Sequence, residues 1–95
     1  MPKILEKSVE SHLVRLCKAH GILCYKWVSP SQAGVLDRIC IYNGKVYFVE
    51  LKCPTGSLSD LQEYIISKLE EQHANVHVLW TLNEVTDFVK MVLDK

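Results

Sequence analysis

A tight hairpin constrains this 95-residue chain more than any other feature of its sequence. The dipeptide Asn43-Gly44 lies between two runs rich in β-branched and aromatic residues, 37–42 and 45–52. Asn-Gly is the strongest short-range signal for a hairpin, because both residues of a type I′ turn must adopt positive φ. The sequence therefore predicts two antiparallel strands joined by a two-residue loop.

The register of this hairpin brings three charged residues together. A two-residue loop pairs Tyr42 with Lys45, and counting outward from that pair places Asp37 directly opposite Glu50. Lys52 lies two residues beyond Glu50, so strand alternation puts it on the same face. Two facing carboxylates repel each other and weaken a sheet. A bound cation or a shared proton best explains such a pair.

Length and composition bound the rest. A chain of 95 residues with 48% hydrophobic residues forms one domain, here residues 1–95, near the lower size limit for an independent core. Its apolar runs are too short to span a membrane, and Glu6 falls where a signal peptide is apolar. The net charge is zero, yet residues 1–59 contain eight Lys or Arg and four acids. Positive charge is thus more frequent in residues 1–59, but a split of this size among 22 charges is also expected from random scatter.

Cysteine usage indicates a reducing compartment. The four cysteines, Cys17, Cys24, Cys40 and Cys53, show no C-x-x-C spacing and no zinc signature. They are interpreted as small, mostly buried apolar residues with reduced thiols. We therefore expect a cytoplasmic protein.

Periodicity and cap signals predict the other elements. An apolar stripe beginning at Ile4 and ending before Gly21 predicts a helix over 4–20. The Ser59…Gln62 spacing is typical of a capping box, and Asn83 is the expected cap of the last helix. The complete expectation is a helix at 4–20, strands at 22–28, 37–42 and 45–52, a helix at about 60–73, a strand at 75–80 and a helix at about 84–93.

The order of these elements defines the fold class. It reads αβββαβα, with a hairpin first and a helical crossover later. A hairpin implies antiparallel strands and a crossover implies a parallel pair, so we expect a mixed four-stranded sheet with helices on both faces. This is a single α/β domain with a restriction-endonuclease-like core.

The charged residues at the hairpin's open end suit metal-dependent phosphodiester hydrolysis. Asp37 and Glu50 offer the hard oxygen ligands that Mg²⁺ or Mn²⁺ prefers, and the Leu51 carbonyl is a further candidate ligand. Such an ion polarises a phosphate and acidifies its bound water. Lys52 would position the water and offset charge in the transition state.

The roles of three further residues stay open from the sequence pattern alone. Glu6 and Glu10 share a helix face, and either could complete the metal shell if that helix packs near the site. Gln62 could bind water or phosphate, or could serve only as the capping partner of Ser59.

Three runs of the sequence resemble the PD-(D/E)xK nuclease superfamily, and more narrowly its virus-type replication-repair branch, the VRR-NUC family. They are 34–38 (Gly-Val-Leu-Asp-Arg), 49–52 (Val-Glu-Leu-Lys) and 58–62 (Leu-Ser-Asp-Leu-Gln). The family usually has proline before the aspartate, where this chain has Leu36. The resemblance implies metal ligation by Asp37, Glu50 and the Leu51 carbonyl, a catalytic role for Lys52, and Glu6 rather than Glu10 as the helix-borne acid. It also implies site roles for Lys26, Ser29 and Gln62, and we assign Arg38 to DNA contact with Lys26 and Ser29.

The same resemblance implies a substrate. Short members of the family are similar to phage proteins that act as symmetrical dimers on branched DNA. We therefore expect a Mg²⁺- or Mn²⁺-dependent, structure-selective DNA endonuclease, a homodimer acting on branches such as four-way (Holliday) junctions. The alternatives are a restriction-type or general DNA nuclease subunit and a non-catalytic DNA-binding module on the same fold.

Overall fold

The hairpin lies at the centre of a four-stranded sheet in the computed structural model, which describes residues 5–94. The strands are β1 (Leu23–Lys26), β2 (Arg38–Tyr42), β3 (Lys45–Leu51) and β4 (Asn75–Leu79), and they lie side by side in that order. The first three are antiparallel, and β4 runs parallel to β3. The predicted mixed sheet is therefore confirmed.

Three helices cover the two faces of this sheet. They are α1 (Glu6–Ala19), α2 (Asp60–Glu71) and α3 (Leu82–Leu93). Helices α1 and α3 pack on each other and on one face, whereas α2 lies beside β4 on the other. The order αβββαβα and the helices on both faces agree with the sequence prediction. Within residues 5–94, no helix combines the length and apolar character needed to cross a bilayer.

The turn has the conformation that its two residues favour. Asn43 has φ 51° and Gly44 has φ 79°, so both adopt the left-handed backbone of a type I′ turn. Tyr42 then pairs with Lys45, and the ladder continues to Arg38 opposite Val49. The predicted register is confirmed, and Asp37 follows as the first residue outside β2.

The main core lies between the sheet and the pair α1 and α3. Alternate residues of β3 point into it, and Val49 and Leu51 are completely buried there. Each such side chain contributes about 1.5–3 kcal/mol by leaving water. The intervening residue, Glu50, points to the α2 face. The core residues contributed by the helices are Val9, Leu13, Cys17, Val85, Phe88, Val89 and Val92.

Several predicted boundaries differ from those of the structure. The first strand is shorter than 22–28, and α1 begins at Glu6, with Ile4 outside the described residues. In α2, Ile65 is buried as expected, but Leu61 and Tyr64 are exposed. The apolar spacing of this helix predicts that Leu61, Tyr64 and Ile65 all face inward. For Leu61 and Tyr64 that prediction was wrong, because α2 contacts the sheet mainly at β4 and leaves most of its own surface in solvent.

The cap of the last helix was also assigned to the wrong residue. Helix α3 begins at Leu82, and its N-cap is Thr81, whose hydroxyl accepts a hydrogen bond from the Glu84 N–H at 3.0 Å. Asn83 lies within the first turn and is exposed. Threonine takes the cap position because its side chain satisfies an N–H that the helix itself leaves unpaired.

Replacing Thr81 with alanine is expected to lower the free energy of unfolding by about 1 kcal/mol, because the Glu84 N–H loses its acceptor. Asn83→Ala is the matched control and should change stability by less than about 0.5 kcal/mol. Urea denaturation followed by circular dichroism measures both. A larger loss for Asn83→Ala than for Thr81→Ala would contradict this cap assignment.

Candidate active site

Asp37 is held at the open end of the hairpin by hydrogen bonds from β3 on one side and from the residue after β1 on the other. Its Oδ2 accepts a hydrogen bond from the Leu51 N–H at 2.9 Å. Its carbonyl accepts a second from the Trp27 N–H at 3.0 Å. The Asp37 carboxylate thus accepts the hydrogen bond that a backbone carbonyl would accept if the β2–β3 ladder continued. This fixes the carboxylate beside the end of β3.

Glu50 is a buried carboxylate on the central strand. Its side chain accepts a hydrogen bond at Oε2 from the Gln62 Nε2 at 2.8 Å, and the Lys52 Nζ lies 3.7 Å from the same oxygen. The residue is only 1% exposed. Its other oxygen, Oε1, is buried and has no hydrogen-bond partner among the described residues. An unpaired buried carboxylate oxygen is costly, so a missing partner is expected at this point.

The surroundings of Glu50 disfavour its charged form. Burial, followed by the negative charge of Asp37, raises the pKa of Glu50 from 4.5 to about 7. Lys52 opposes this shift, and Glu6 adds to it. The carboxyl group therefore carries a proton over part of the neutral range unless a cation compensates its charge.

These donors fit a hard divalent cation. The unpaired Oε1 of Glu50 and the carboxylate of Asp37 both supply oxygen, the donor type that Mg²⁺ and Mn²⁺ prefer. In a strand, the N–H and C=O of one residue point to the same side. Because the Leu51 N–H reaches Asp37, the Leu51 carbonyl also faces that side. A cation there would provide the charge that the buried pair lacks.

Gln62 is the capping partner of Ser59 and also bonds to the buried carboxylate, a contact that the sequence did not predict. Its Oε1 accepts from the Ser59 N–H and its own N–H donates to the Ser59 hydroxyl, which completes a capping box at the start of α2. Its Nε2 simultaneously donates to Glu50. One side chain therefore starts the helix and orients the buried carboxylate.

The two helix-borne acids lie in different environments. Glu10 forms an ion pair with the Arg38 Nε at 2.9 Å. Glu6, in the first turn of α1, is close enough to raise the pKa of Glu50. The negative charge of Glu6 therefore acts on Glu50, whereas that of Glu10 is paired with Arg38, and the assignment of Glu6 to a metal shell stays a prediction.

Within residues 5–94, the structure shows no hydrogen bond or ion pair between the carboxylates of this site and the side chains of the three residues expected to bind DNA. Lys26 is exposed at the end of β1, opposite Arg38 in the ladder, and Ser29 is half-buried in the following loop. Among the contacts of residues 5–94, neither side chain bonds to Asp37 or Glu50. The Arg38 Nε is used by Glu10, and only 17% of the Arg38 side chain is exposed.

A close contact holds the loop before Asp37 against α2. Gly34 has φ +83°, and a Cβ at this position would lie 2.5 Å from the Leu61 Cγ and 3.1 Å from the Leu61 carbonyl oxygen. A side chain is therefore excluded by backbone conformation and by space. This contact brings the elements that carry Asp37 and Gln62 together.

Comparison with solved structures identifies the fold. A solved VRR_NUC domain has a TM-score of 0.83 to this structure, with 90% of this chain and 94% of that chain covered at 23% sequence identity. This chain has the VRR-NUC fold. The resemblance stated from the sequence motifs is thus confirmed at the level of the fold.

A sequence relative agrees with this assignment. Putative nuclease p44 of Acyrthosiphon pisum secondary endosymbiont phage 1 is 47% identical over 55 residues, which is 57% of this chain and 59% of that protein. The match therefore spans less than two thirds of the relative's length. No protein-family model matches the sequence.

Some features of this candidate site were not found from the sequence. The Gly34–Leu61 contact was missed, although a glycine preceding the aspartate was noted. The bond between Gln62 and Glu50 was also missed, because the capping-box spacing describes only the start of α2. The Arg38–Glu10 pair was missed because no local pattern relates a strand to a distant helix.

The buried Glu50 should make the metal-free protein less stable as the pH rises. The pKa of Glu50 is about 7 in the folded protein, compared with the ordinary value of 4.5 that applies to the unfolded chain. Between pH 4.5 and pH 7, the folded protein therefore keeps a proton that the unfolded chain has lost. The free energy of unfolding is greatest below pH 4.5 and falls by up to about 3 kcal/mol as the pH rises through 7. Glu50→Gln should remove this loss.

Urea unfolding in a chelating buffer at pH 5 and pH 8 measures the effect. Glu50→Gln should be more stable than the wild type at pH 8, with a smaller difference at pH 5. Glu63→Gln, an exposed acid on α2, is the control and should show neither change. Equal stabilities of wild type and Glu50→Gln at pH 8 would contradict the burial cost.

Proposed function

We propose that this chain is a Mg²⁺- or Mn²⁺-dependent DNA endonuclease. The observation that carries the proposal is the buried Oε1 of Glu50, which lacks a partner and lies on a central strand beside Asp37. A cation at this point would satisfy the oxygen and offset the repulsion between the two acids. The VRR-NUC fold and the phage relative named as a putative nuclease support the same chemistry.

Each residue of the site has a distinct role in this proposal. Asp37, Glu50 and the Leu51 carbonyl would hold the cation, with Glu6 completing the shell. When bound, the cation supplies charge to the scissile phosphate and acidifies a water ligand. Lys52, beside Glu50, would position the attacking water and offset negative charge as the phosphate is attacked. Gln62 fixes the orientation of Glu50 through its amide.

We further propose that the substrate is branched DNA and that the active species is a homodimer. This step depends on the resemblance to short VRR-NUC proteins, because a two-fold dimer would present two sites to two strands. Lys26 and Ser29, near the Trp27–Asp37 contact, are the proposed DNA contacts, and the Arg38 guanidinium is a further candidate. We place the activity in the cytoplasm of a bacterial host, as the phage relative suggests.

Two alternatives make different predictions. A restriction-type or general nuclease would cleave linear duplex as readily as a branch. A non-catalytic DNA-binding module would bind DNA without turnover. The second alternative is less favoured, because a binding module gains nothing from a buried carboxylate that raises the cost of folding.

Cleavage of labelled four-way junction, flap and linear duplex with and without Mn²⁺ tests the proposal. Lys52→Ala and Asp37→Ala should each lower the rate by about 100-fold or more, because each removes charge from the site. Lys45→Ala is the matched control, since Lys45 is exposed at the opposite end of the same strand. Circular dichroism confirms that each variant is folded.

The outcomes separate the possible functions. Mn²⁺-dependent cleavage that prefers junctions and is lost in both variants supports the full proposal. Equal cleavage of the linear duplex would retain the nuclease and reject branch selectivity. Undiminished cleavage by folded Lys52→Ala or Asp37→Ala would overturn the assigned site.

The dual role of Gln62 can be separated by two variants. Gln62→Ala and Ser59→Ala both damage the capping box and should each cost about 1 kcal/mol of stability. Gln62→Ala also removes the amide that orients Glu50, so its affinity for Mn²⁺ should fall by about 10-fold or more. Calorimetric titration with Mn²⁺ measures this difference. Similar affinities in the two variants would limit Gln62 to a structural role.

A further inference from the structure

Three cysteines from three separate elements converge on the face of the sheet that α1 covers. Cys17 lies in α1, Cys24 in β1 and Cys40 in β2. Cys24 and Cys40 are direct partners in the ladder, and α1 places Cys17 against them. All three Sγ atoms lie within 4.8 Å of one another. We call these residues the thiol cluster, and it is separate from Asp37 and Glu50.

The thiol cluster is enclosed on most sides. Cys17 and Cys40 are completely buried, and Cys24 is partly exposed. The fourth cysteine, Cys53, lies outside the cluster and approaches the Thr55 hydroxyl at 3.4 Å. The cluster is therefore a preformed group of three sulfur donors with one side accessible to solvent.

We propose that the thiol cluster binds one soft metal ion through three thiolates. Zinc–sulfur bonds of about 2.3 Å place three bound sulfurs about 3.8–4.0 Å apart. The sulfurs now lie up to 4.8 Å apart. Shifts of about an ångström or less would bring them to the bound spacing, and small rotations about the three χ1 angles allow such shifts. Thiolates select Zn²⁺, Cu⁺ and similar ions over the hard Mg²⁺ and Mn²⁺.

Charge near the cluster suits a bound thiolate set. Arg38 lies two residues before Cys40 on β2, and therefore on the same face of the sheet as the cluster. The neighbouring thiols Cys17 and Cys40, and then the Arg38 guanidinium, lower the pKa of Cys24, whereas the pKa values of Cys17 and Cys40 are raised by the neighbouring cysteines and by burial. Binding releases the three thiol protons to solvent, so a divalent ion with three thiolates has a net charge of −1. The neighbouring Arg38 compensates that charge.

The partial exposure of Cys24 determines how the shell is completed. Zn²⁺ and Cd²⁺ take a fourth ligand, which water supplies on the open side of Cys24. Among the described residues, no other histidine, cysteine or acidic group joins the three sulfurs. Cu⁺ needs no fourth ligand here. Zn²⁺, Cd²⁺ and Cu⁺ all prefer thiolate ligands, and competition titrations rank their affinities for the thiol cluster.

The test uses the full chain, reduced and under anaerobic conditions, with excess Mg²⁺ present to occupy carboxylates. Titration with Cd²⁺ should produce a thiolate-to-metal charge-transfer absorption that saturates at one ion per chain. Competition with Zn²⁺ and then Cu⁺ follows. X-ray absorption spectroscopy of the wild-type complex should show three sulfur neighbours.

Matched cysteine variants identify the ligands. Cys24→Ala removes the most accessible ligand with the least damage to packing, and should weaken Cd²⁺ binding by roughly 100-fold. Cys53→Ala should bind like the wild type. Circular dichroism establishes that both variants are folded.

Two results would overturn the proposal. One is wild-type affinity in folded Cys24→Ala. The other is a wild-type complex that shows fewer than three sulfur neighbours or no charge-transfer absorption at saturating Cd²⁺. The spectroscopic measurement on the wild type stands even where a variant fails to fold, and neither readout depends on nuclease activity.

Discussion

The burial of one carboxylate, Glu50, governs the arrangement of the site. A carboxylate on a central strand has almost no access to water and depends on its neighbours for hydrogen bonds and charge. Gln62 and Lys52 satisfy one oxygen, while Asp37 adds repulsion rather than relief. The remaining oxygen leaves a requirement for positive charge. The energetic cost of this position and its capacity to bind a cation have the same physical origin.

The fold meets that requirement by bringing separate elements to one end of the hairpin. The N-terminal turn of α1 carries Glu6, and that of α2 carries Gln62. The close contact between Gly34 and Leu61 holds the loop before Asp37 against the same turn of α2. Structural contacts and site contacts therefore share atoms, most directly at Gln62.

Two chemically different donor sets lie on opposite faces of the sheet. Hard carboxylate oxygens gather around Glu50 on the α2 face, and three thiols gather under α1. Arg38 pairs with Glu10 of α1 and lies on the thiol side of the sheet. The strand alternation that separates these donors also separates the ions that each would select.

The amino-acid sequence alone determined the elements whose geometry is local. A two-residue turn defines its own register, so the proximity of Asp37, Glu50 and Lys52 could be counted from Asn43-Gly44. Only the tertiary structure paired Glu10 with Arg38, gave Gln62 its second partner and assembled the thiol cluster. Those relations cross long loops or join a helix to a sheet. Their distances depend on how the whole core packs, which no spacing within one segment records.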